Sequence, residues 1–317
     1  MFELPKTGYF LRMRIYLAEM YPIPRQLLVA ALLYTSIAAF MRSTNQIRTP
    51  GIPLFTFVGI WSLFAVALMI RLMDELKDRE IDSRLFGARP LPSGRVLESD
   101  IRFSLVVVIL LYIAANALLG RALCAAFVVL GYSLLMFKHF FLPRVLRENL
   151  LLTLATHNLF VPIVYLYVLA LFAIENRLTF TALKWPLPLL LVAMYWAMSF
   201  AWEIARKIRA PGEETAYVTY SQIFGPTGAV LIACGAQTVS FAIGLYLYRN
   251  LSLSPLFLSL LVAGYGAALW GYARFILSPS PLTSNLRPLA EIFIICVLIG
   301  GVTDHALLPA VFRGLLG

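Results

Sequence analysis

The residues best suited to do chemistry in this chain lie between Arg71 and Arg95, which reads RLMDELKDREIDSRLFGARPLPSGR. The whole sequence has only 16 Asp and Glu, so a run holding Asp74, Glu75, Asp78, Glu80 and Asp82 is a marked concentration. On a helix, Asp74, Asp78 and Asp82 at i, i+4 and i+8 share one face, and Glu75 lies close beside them. Like charges stacked this way repel, and a cation between them removes the repulsion. Hard carboxylate oxygens suit Mg²⁺, which is commonly held by one or two carboxylates together with substrate phosphates. The basic half, Arg84, Arg89 and Arg95 around the turn-forming Pro90-Leu91-Pro92-Ser93-Gly94, offers guanidinium forks to phosphate oxygens. The stretch reads as a diphosphate site, and the plainer alternative is a solvated helix end followed by a basic loop.

The elements that must position it are membrane helices. With 61% hydrophobic and 13% charged residues, the chain is no ordinary soluble globule. A helix needs roughly 20 apolar residues to cross a hydrocarbon core of about 30 Å, and lipid tolerates only helices or closed barrels. The apolar runs are too long and continuous for barrel strands. The sequence therefore predicts an all-α polytopic membrane protein forming a single domain over 1–317. Nine spans are expected, at 26–41, 51–71, 101–119, 121–137, 150–174, 186–206, 228–247, 253–276 and 288–310. Residues 1–25 mix Lys6, Arg12 and Arg14 with Phe2, Tyr9, Phe10, Leu11 and Ile15, without the pattern of a cleavable signal peptide. They predict either an amphipathic helix lying on the membrane or a loosely ordered terminus.

A cytoplasmic N-terminus places about 19 of the 26 Lys and Arg on the inner side and about 7 outside, the asymmetry favoured by the positive-inside rule. The charged loops then face the cytoplasm, and an odd number of spans puts the C-terminus outside. The net charge of +10 has no extramembrane domain on which to build a nucleic-acid surface; anionic lipid and a diphosphate are the partners that fit it. Cys124, Cys234 and Cys296 fall within spans without CxxC spacing and read as apolar filler. His139, His157 and His305 show no ligand spacing.

Two further inner loops concentrate charge. The end of span six runs Trp202-Glu203-Ile204-Ala205-Arg206-Lys207-Ile208-Arg209 and continues through Glu213, Glu214 and Thr215. Four spans separate it from the 72–100 loop, the spacing of a pseudo-repeat in which two bundles present charged loops to a central cavity. The 138–149 connection adds Lys138, His139, Arg144, Arg147 and Glu148.

These residues carry a family resemblance. Asp74-Glu75-Leu76-Lys77-Asp78-Arg79-Glu80-Ile81-Asp82 followed by Arg89-Pro90-Leu91-Pro92-Ser93-Gly94 resembles the first signature of the UbiA superfamily of intramembrane prenyltransferases, N-D-x-x-D-x-x-x-D with a nearby R-P-L-P-S-G. Asp78 and Asp82 match it directly, Glu75 stands for its first Asp, and Asp74 replaces the Asn. Lys138 with Leu142-Pro143-Arg144-Val145, and Thr219 to Gly225, resemble later connections of the family. The second signature departs from the pattern. Glu203 matches an acidic position, whereas Lys207 and Ala210 stand where Asp is expected.

The resemblance implies a helix bundle around a central cavity in which an allylic polyprenyl diphosphate ionises and an aromatic or other lipophilic acceptor captures the carbocation. It implies Mg²⁺ held by Asp78 and Asp82 with Asp74 and Glu75, and diphosphate contacts from Arg89, Arg95, Lys138 and Arg84. Glu203 either binds metal or pairs with Arg206 or Lys207. The Lys207 ammonium is expected to neutralise the leaving diphosphate where the family uses a second Mg²⁺. A terpene cyclase of the same type and a non-catalytic isoprenoid-binding or transport protein are the alternatives that the altered second motif leaves open. His157 and Asn158 within span five either line the acceptor pocket or hydrogen-bond between helices. Arg287 and Glu291 are expected to form an i, i+4 ion pair, and Asp304 and His305 carry no catalytic role. Nothing in the sequence selects an acceptor, a prenyl chain length or an oligomeric state.

Overall fold

The computed structural model describes residues 8–47, 54–214 and 218–303. Expectations placed on Phe2, Lys6, Thr215, Asp304 and His305, and on residues 51–53 and 304–310 of two expected spans, lie outside the described residues. The described chain is helical, with no strand among the described residues. Seven helical segments are long and apolar enough to cross a membrane: Ile23–Asn45, Leu54–Lys77, Glu98–Ala117, Leu150–Glu175, Leu187–Ala205, Tyr220–Asn250 and Pro255–Leu277. Two of the nine expected spans correspond to shorter helices, Ala122–Phe137 and Arg287–Val302, of 16 residues each. At 1.5 Å per residue that is about 24 Å, short of the hydrocarbon thickness.

The chain divides into two compact units. The first, Met1–Tyr34 with Gly51–Asn149, holds α1 (Tyr9–Met20), the start of α2 (Ile23–Asn45), α3 (Leu54–Lys77), α4 (Arg79–Leu85), α5 (Glu98–Ala117), α6 (Ala122–Phe137) and α7 (Pro143–Glu148). Here α3 packs on both α5 and α6 through a core that includes Phe64, Met69, Leu72, Ile101, Tyr112 and Val129. Gly59 lets α3 approach the buried Tyr34 ring, since a Cβ there would stand 2.0 Å from the ring edge. The short α1 buries Met13 and Tyr16 and leaves Phe10 and Leu11 exposed. It is pinned by Arg12, which donates to both carboxylate oxygens of Asp100 at 2.6 and 2.7 Å, and by a 2.9 Å hydrogen bond between the Tyr9 and Ser104 hydroxyls.

The second unit, Thr35–Pro50 with Leu150–Gly317, holds the end of α2, α8 (Leu150–Asn158), α9 (Phe160–Glu175), α10 (Leu187–Ala205), α11 (Tyr220–Asn250), α12 (Pro255–Leu277) and α13 (Arg287–Val302). The fifth expected span is two helices, α8 and α9, parted at Leu159. Pro162 explains the break, because it has no N–H to donate and its ring crowds the carbonyl four residues back, at Asn158. Thr219 caps α11 reciprocally with Gln222: its hydroxyl accepts from the Gln222 N–H at 3.3 Å and its N–H donates to the Gln222 side chain at 3.2 Å. α11 then kinks at Gly225 (φ 72°, ψ 158°), just before Pro226, a conformation open to glycine alone. Side-chain hydrogen bonds fasten α10 to its neighbours: Tyr195 to Ser36 at 2.5 Å, Ser199 to Tyr165 at 2.7 Å, and Trp196 to Asn158. Asn158 thus makes an interhelical bond, one of the two roles expected of it.

Candidate functional site

The acids of the first charged stretch sit at a helix break rather than on one unbroken helix. α3 ends at Lys77, α4 begins at Arg79, and Asp78 between them has φ −98° and ψ 11°. Asp is a poor helix-interior residue, and carboxylates spaced as these are repel along a helix face. The backbone bonds of i, i+4 type nonetheless run through the break, from the Asp78 N–H to the Asp74 carbonyl and from the Asp82 N–H to the Asp78 carbonyl, both 2.9 Å.

Three of these carboxylates meet a cation of the chain itself. Glu75, only 2% exposed, accepts from the Arg71 guanidinium one turn earlier. Asp74 lies 3.2 Å from the Lys77 ammonium. Buried Asp82 accepts from Arg89 at 2.7 Å, and the Arg89 guanidinium stacks 3.9 Å over the Phe86 ring. This last pair joins the acidic run to the RPLPSG turn. The turn is closed by the Ser93 N–H on the Arg89 carbonyl (3.0 Å), the Gly94 N–H on Leu91 (3.1 Å) and the Val96 N–H on Pro90 (3.0 Å). Gly94 takes φ 75° there, which favours glycine. Glu75 also lies within electrostatic reach of Asp82 and Arg89.

The other basic candidates are placed differently. Arg95 is exposed and pairs with Glu19 of α1, and also donates to the Ala88 carbonyl at 2.7 Å. It holds the Glu19 carboxyl below the usual carboxylate range through that hydrogen bond. Arg84 is exposed in the last turn of α4. Lys138 ends α6, its ammonium 5.4 Å from the Phe137 ring centroid. It precedes three non-glycine residues with left-handed backbone, His139, Phe140 and Phe141, at φ 49°, 49° and 60°; each costs on the order of 1–3 kcal/mol.

In the second unit, Glu203 ends α10 beside its own cations. Arg206 donates to both its oxygens, at 2.6 and 2.9 Å. The Lys207 ammonium is 3.4 Å away and the Tyr220 hydroxyl donates at 3.5 Å. Glu213 accepts from the Ala210 N–H at 2.8 Å, and that bond, with the Ser284 hydroxyl, holds its carboxyl below the usual range. Glu214 accepts from the Thr219 hydroxyl at 2.7 Å. The expected pair of Arg287 with Glu291 is present at 2.8 Å; Glu291 also accepts from the Trp202 indole at 3.2 Å.

Among the described residues no three His, Cys, Asp or Glu side chains form a group that could hold a metal ion. Magnesium with a diphosphate does not need three, since one or two carboxylates and the phosphates complete its shell. Asp78 and Asp82 therefore fit the ion in donor type and number. Glu203 does not fit, because two cations already enclose it. Sequence reasoning passed over Arg71, although its i, i+4 spacing to Glu75 is legible, and Glu19, whose partner lies 76 residues away and leaves no local signal.

Against known proteins, no family model and no curated sequence matches the chain. Solved structures do. A structure of digeranylgeranylglyceryl phosphate synthase in membranes aligns at TM-score 0.61 and 15% identity, covering 93% of this chain and 99% of that one. The apo structure of a UbiA homolog from Aeropyrum pernix K1 aligns at TM-score 0.64 and 15% identity, covering 86% and 96%. The chain has the UbiA fold, that of a multi-pass helical membrane protein.

Proposed function

We propose that this protein is a UbiA-type prenyltransferase that moves a prenyl group from a polyprenyl diphosphate to a lipophilic or aromatic acceptor within the membrane. The observation that carries this reading is the Asp82–Arg89 pair at the end of a spanning helix, which fixes the acidic run against the RPLPSG turn in a chain of UbiA fold. Asp78 and Asp82 would hold one Mg²⁺, which when bound supplies Lewis-acid stabilisation of charge on the diphosphate. Arg89, with Arg84 and Lys138, orients the diphosphate oxygens. Arg95 acts through α1 by holding the turn in place. The allylic C–O bond breaks with its electron pair leaving on the diphosphate, the acceptor carbon or oxygen bonds to the prenyl cation, and the acceptor gives up a proton. Aromatic side chains and apolar helices keep water from that cation. The charged loops are cytoplasmic in this reading.

The test is pyrophosphate release from geranyl, farnesyl and geranylgeranyl diphosphates by protein in lipid nanodiscs, with Mg²⁺ or EDTA, with and without a membrane extract as acceptor source. Metal-dependent release that needs extract is the expected result. Release without extract, with a purely isoprenoid product, would replace transfer by cyclisation. Absence of release from all three, together with absence of pyrophosphate binding, would overturn the reading.

A further inference from the structure

The end of α10 has the components of an anion site and lacks those of a metal site. The Glu203 carboxylate has one oxygen on Arg206 Nε and the other shared by Arg206 Nη2, Lys207 Nζ and the Tyr220 hydroxyl. A divalent cation entering there would displace these donors and stand beside two fixed positive charges. The remaining acids of the loop are engaged within it, Glu213 on the Ala210 N–H and Glu214 on Thr219. Arg209 donates to the carbonyls of Arg206 and Ile208 at 3.3 and 2.7 Å. It thereby covers the negative end of the α10 dipole, which would otherwise repel an anion.

The two cations are also held in place. Beneath them, Ile204, Ala205, Ile208, Ala210 and Tyr220 are fully buried in one apolar cluster. The Arg206 guanidinium lies 5.4 Å from the Trp202 ring, and the Lys207 ammonium 5.5 Å from the Tyr220 ring. Lys207 is 12% exposed and Arg206 37%, so both are shielded yet reachable. A flat guanidinium and an adjacent ammonium bracketing one carboxylate leave one surplus positive charge for phosphate oxygens.

We propose that Arg206 and Lys207 bind the diphosphate directly, as a metal-independent anion site, and that the α10 loop carries no magnesium. The inference rests on the diphosphate reading of the protein and goes beyond it in assigning the second loop to organic cations.

Isothermal titration of inorganic pyrophosphate into the full chain in nanodiscs tests it, in EDTA and in Mg²⁺. Binding persists in EDTA; Lys207→Gln and Arg206→Gln each weaken it about tenfold or more, as loss of a charge-assisted bond does, while Lys207→Arg restores it. Asp78→Asn leaves the EDTA affinity unchanged. Binding in Mg²⁺ alone, or unchanged affinity in both Gln variants, overturns this inference and leaves prenyl transfer standing. No binding in either condition overturns both. Should the Gln variants fail to fold, Mn²⁺ counting by electron paramagnetic resonance on the wild-type chain with pyrophosphate decides. One ion per chain upholds the proposal, and two refute it.

Discussion

The Arg71–Glu75 pair separates a structural acid from a ligand at the position where the first Asp of the UbiA signature would stand. Glu75 has a side chain 1% exposed and Arg71 one 28% exposed, so the two are not equally able to reach water when their partner is removed. Breaking a buried ion pair by deleting one member costs about 3–5 kcal/mol because the other charge is left without compensation. Arg71→Met strands the enclosed carboxylate and falls in that range. Glu75→Met strands a guanidinium that is partly wetted, and the cost is about 1.5–3 kcal/mol, that of a charged hydrogen bond. The double variant replaces the pair by apolar side chains of similar reach, and is close to neutral. A double-mutant cycle read by tryptophan fluorescence during SDS-titrated unfolding should give an asymmetric pair of single costs and a coupling of roughly 2 kcal/mol or more. Additive single costs would refute the pairing. Glu75→Gln with native stability but no Mn²⁺ uptake would show that Glu75 serves the metal after all.

Asp82→Asn and Arg89→Ala should each lower the pyrophosphate release rate about tenfold or more by removing a charged contact of about 1.5–3 kcal/mol, with Arg89→Lys intermediate because the flat fork is lost and the charge kept; steady-state kinetics checks this. Gly59→Ala should destabilise the first unit by about 1–3 kcal/mol, since the new Cβ would meet the buried Tyr34 ring, an effect visible in the same SDS titration. The Glu19–Arg95 tether should depend on pH. The Glu19 carboxyl is depressed in the folded chain by its hydrogen bond to Arg95, so the tether is complete above the ordinary carboxylate range and is lost as pH falls through the depressed value. Hydrogen exchange of α1 should accelerate at acid pH in the wild type and be fast and pH-insensitive, after correction for intrinsic rates, in Arg95→Gln.

Helix lengths and charge placement were legible because both are local. Apolar runs of about 20 residues announce spans wherever they occur, and Asp78, Asp82 and the RPLPSG turn sit close together in sequence. The break at Asp78 was not legible from face periodicity, which presumes that the helix continues through repelling acids. The break at Leu159 was written in Pro162, yet hydropathy averages over it. The count of nine spans failed at α6 and α13, where apolar composition was present but the described helices are too short. Pairings such as Arg12 with Asp100 and Arg95 with Glu19 span 88 and 76 residues, and only folding brings them together. By contrast, the clasp on Glu203 could be read in advance, since Arg206 and Lys207 lie three and four residues on, where helix neighbours meet.

A common physical cause underlies these placements. An uncompensated carboxylate near the hydrocarbon boundary is costly, and Glu75, Asp82, Asp100, Glu175 and Glu203 each meet an arginine at or near helix ends. Once the acids are so matched, the net charge of +10 resides in cations beyond those needed for pairing. Such a surplus attracts an anion at a distance and is screened by salt, whereas a magnesium shell acts only on contact. If Arg206 and Lys207 carry part of the diphosphate, its affinity in EDTA must fall steeply with ionic strength, and Lys207→Gln must flatten that slope as well as weaken binding. A salt slope that Lys207→Gln leaves unchanged would place the surplus charge elsewhere in the chain.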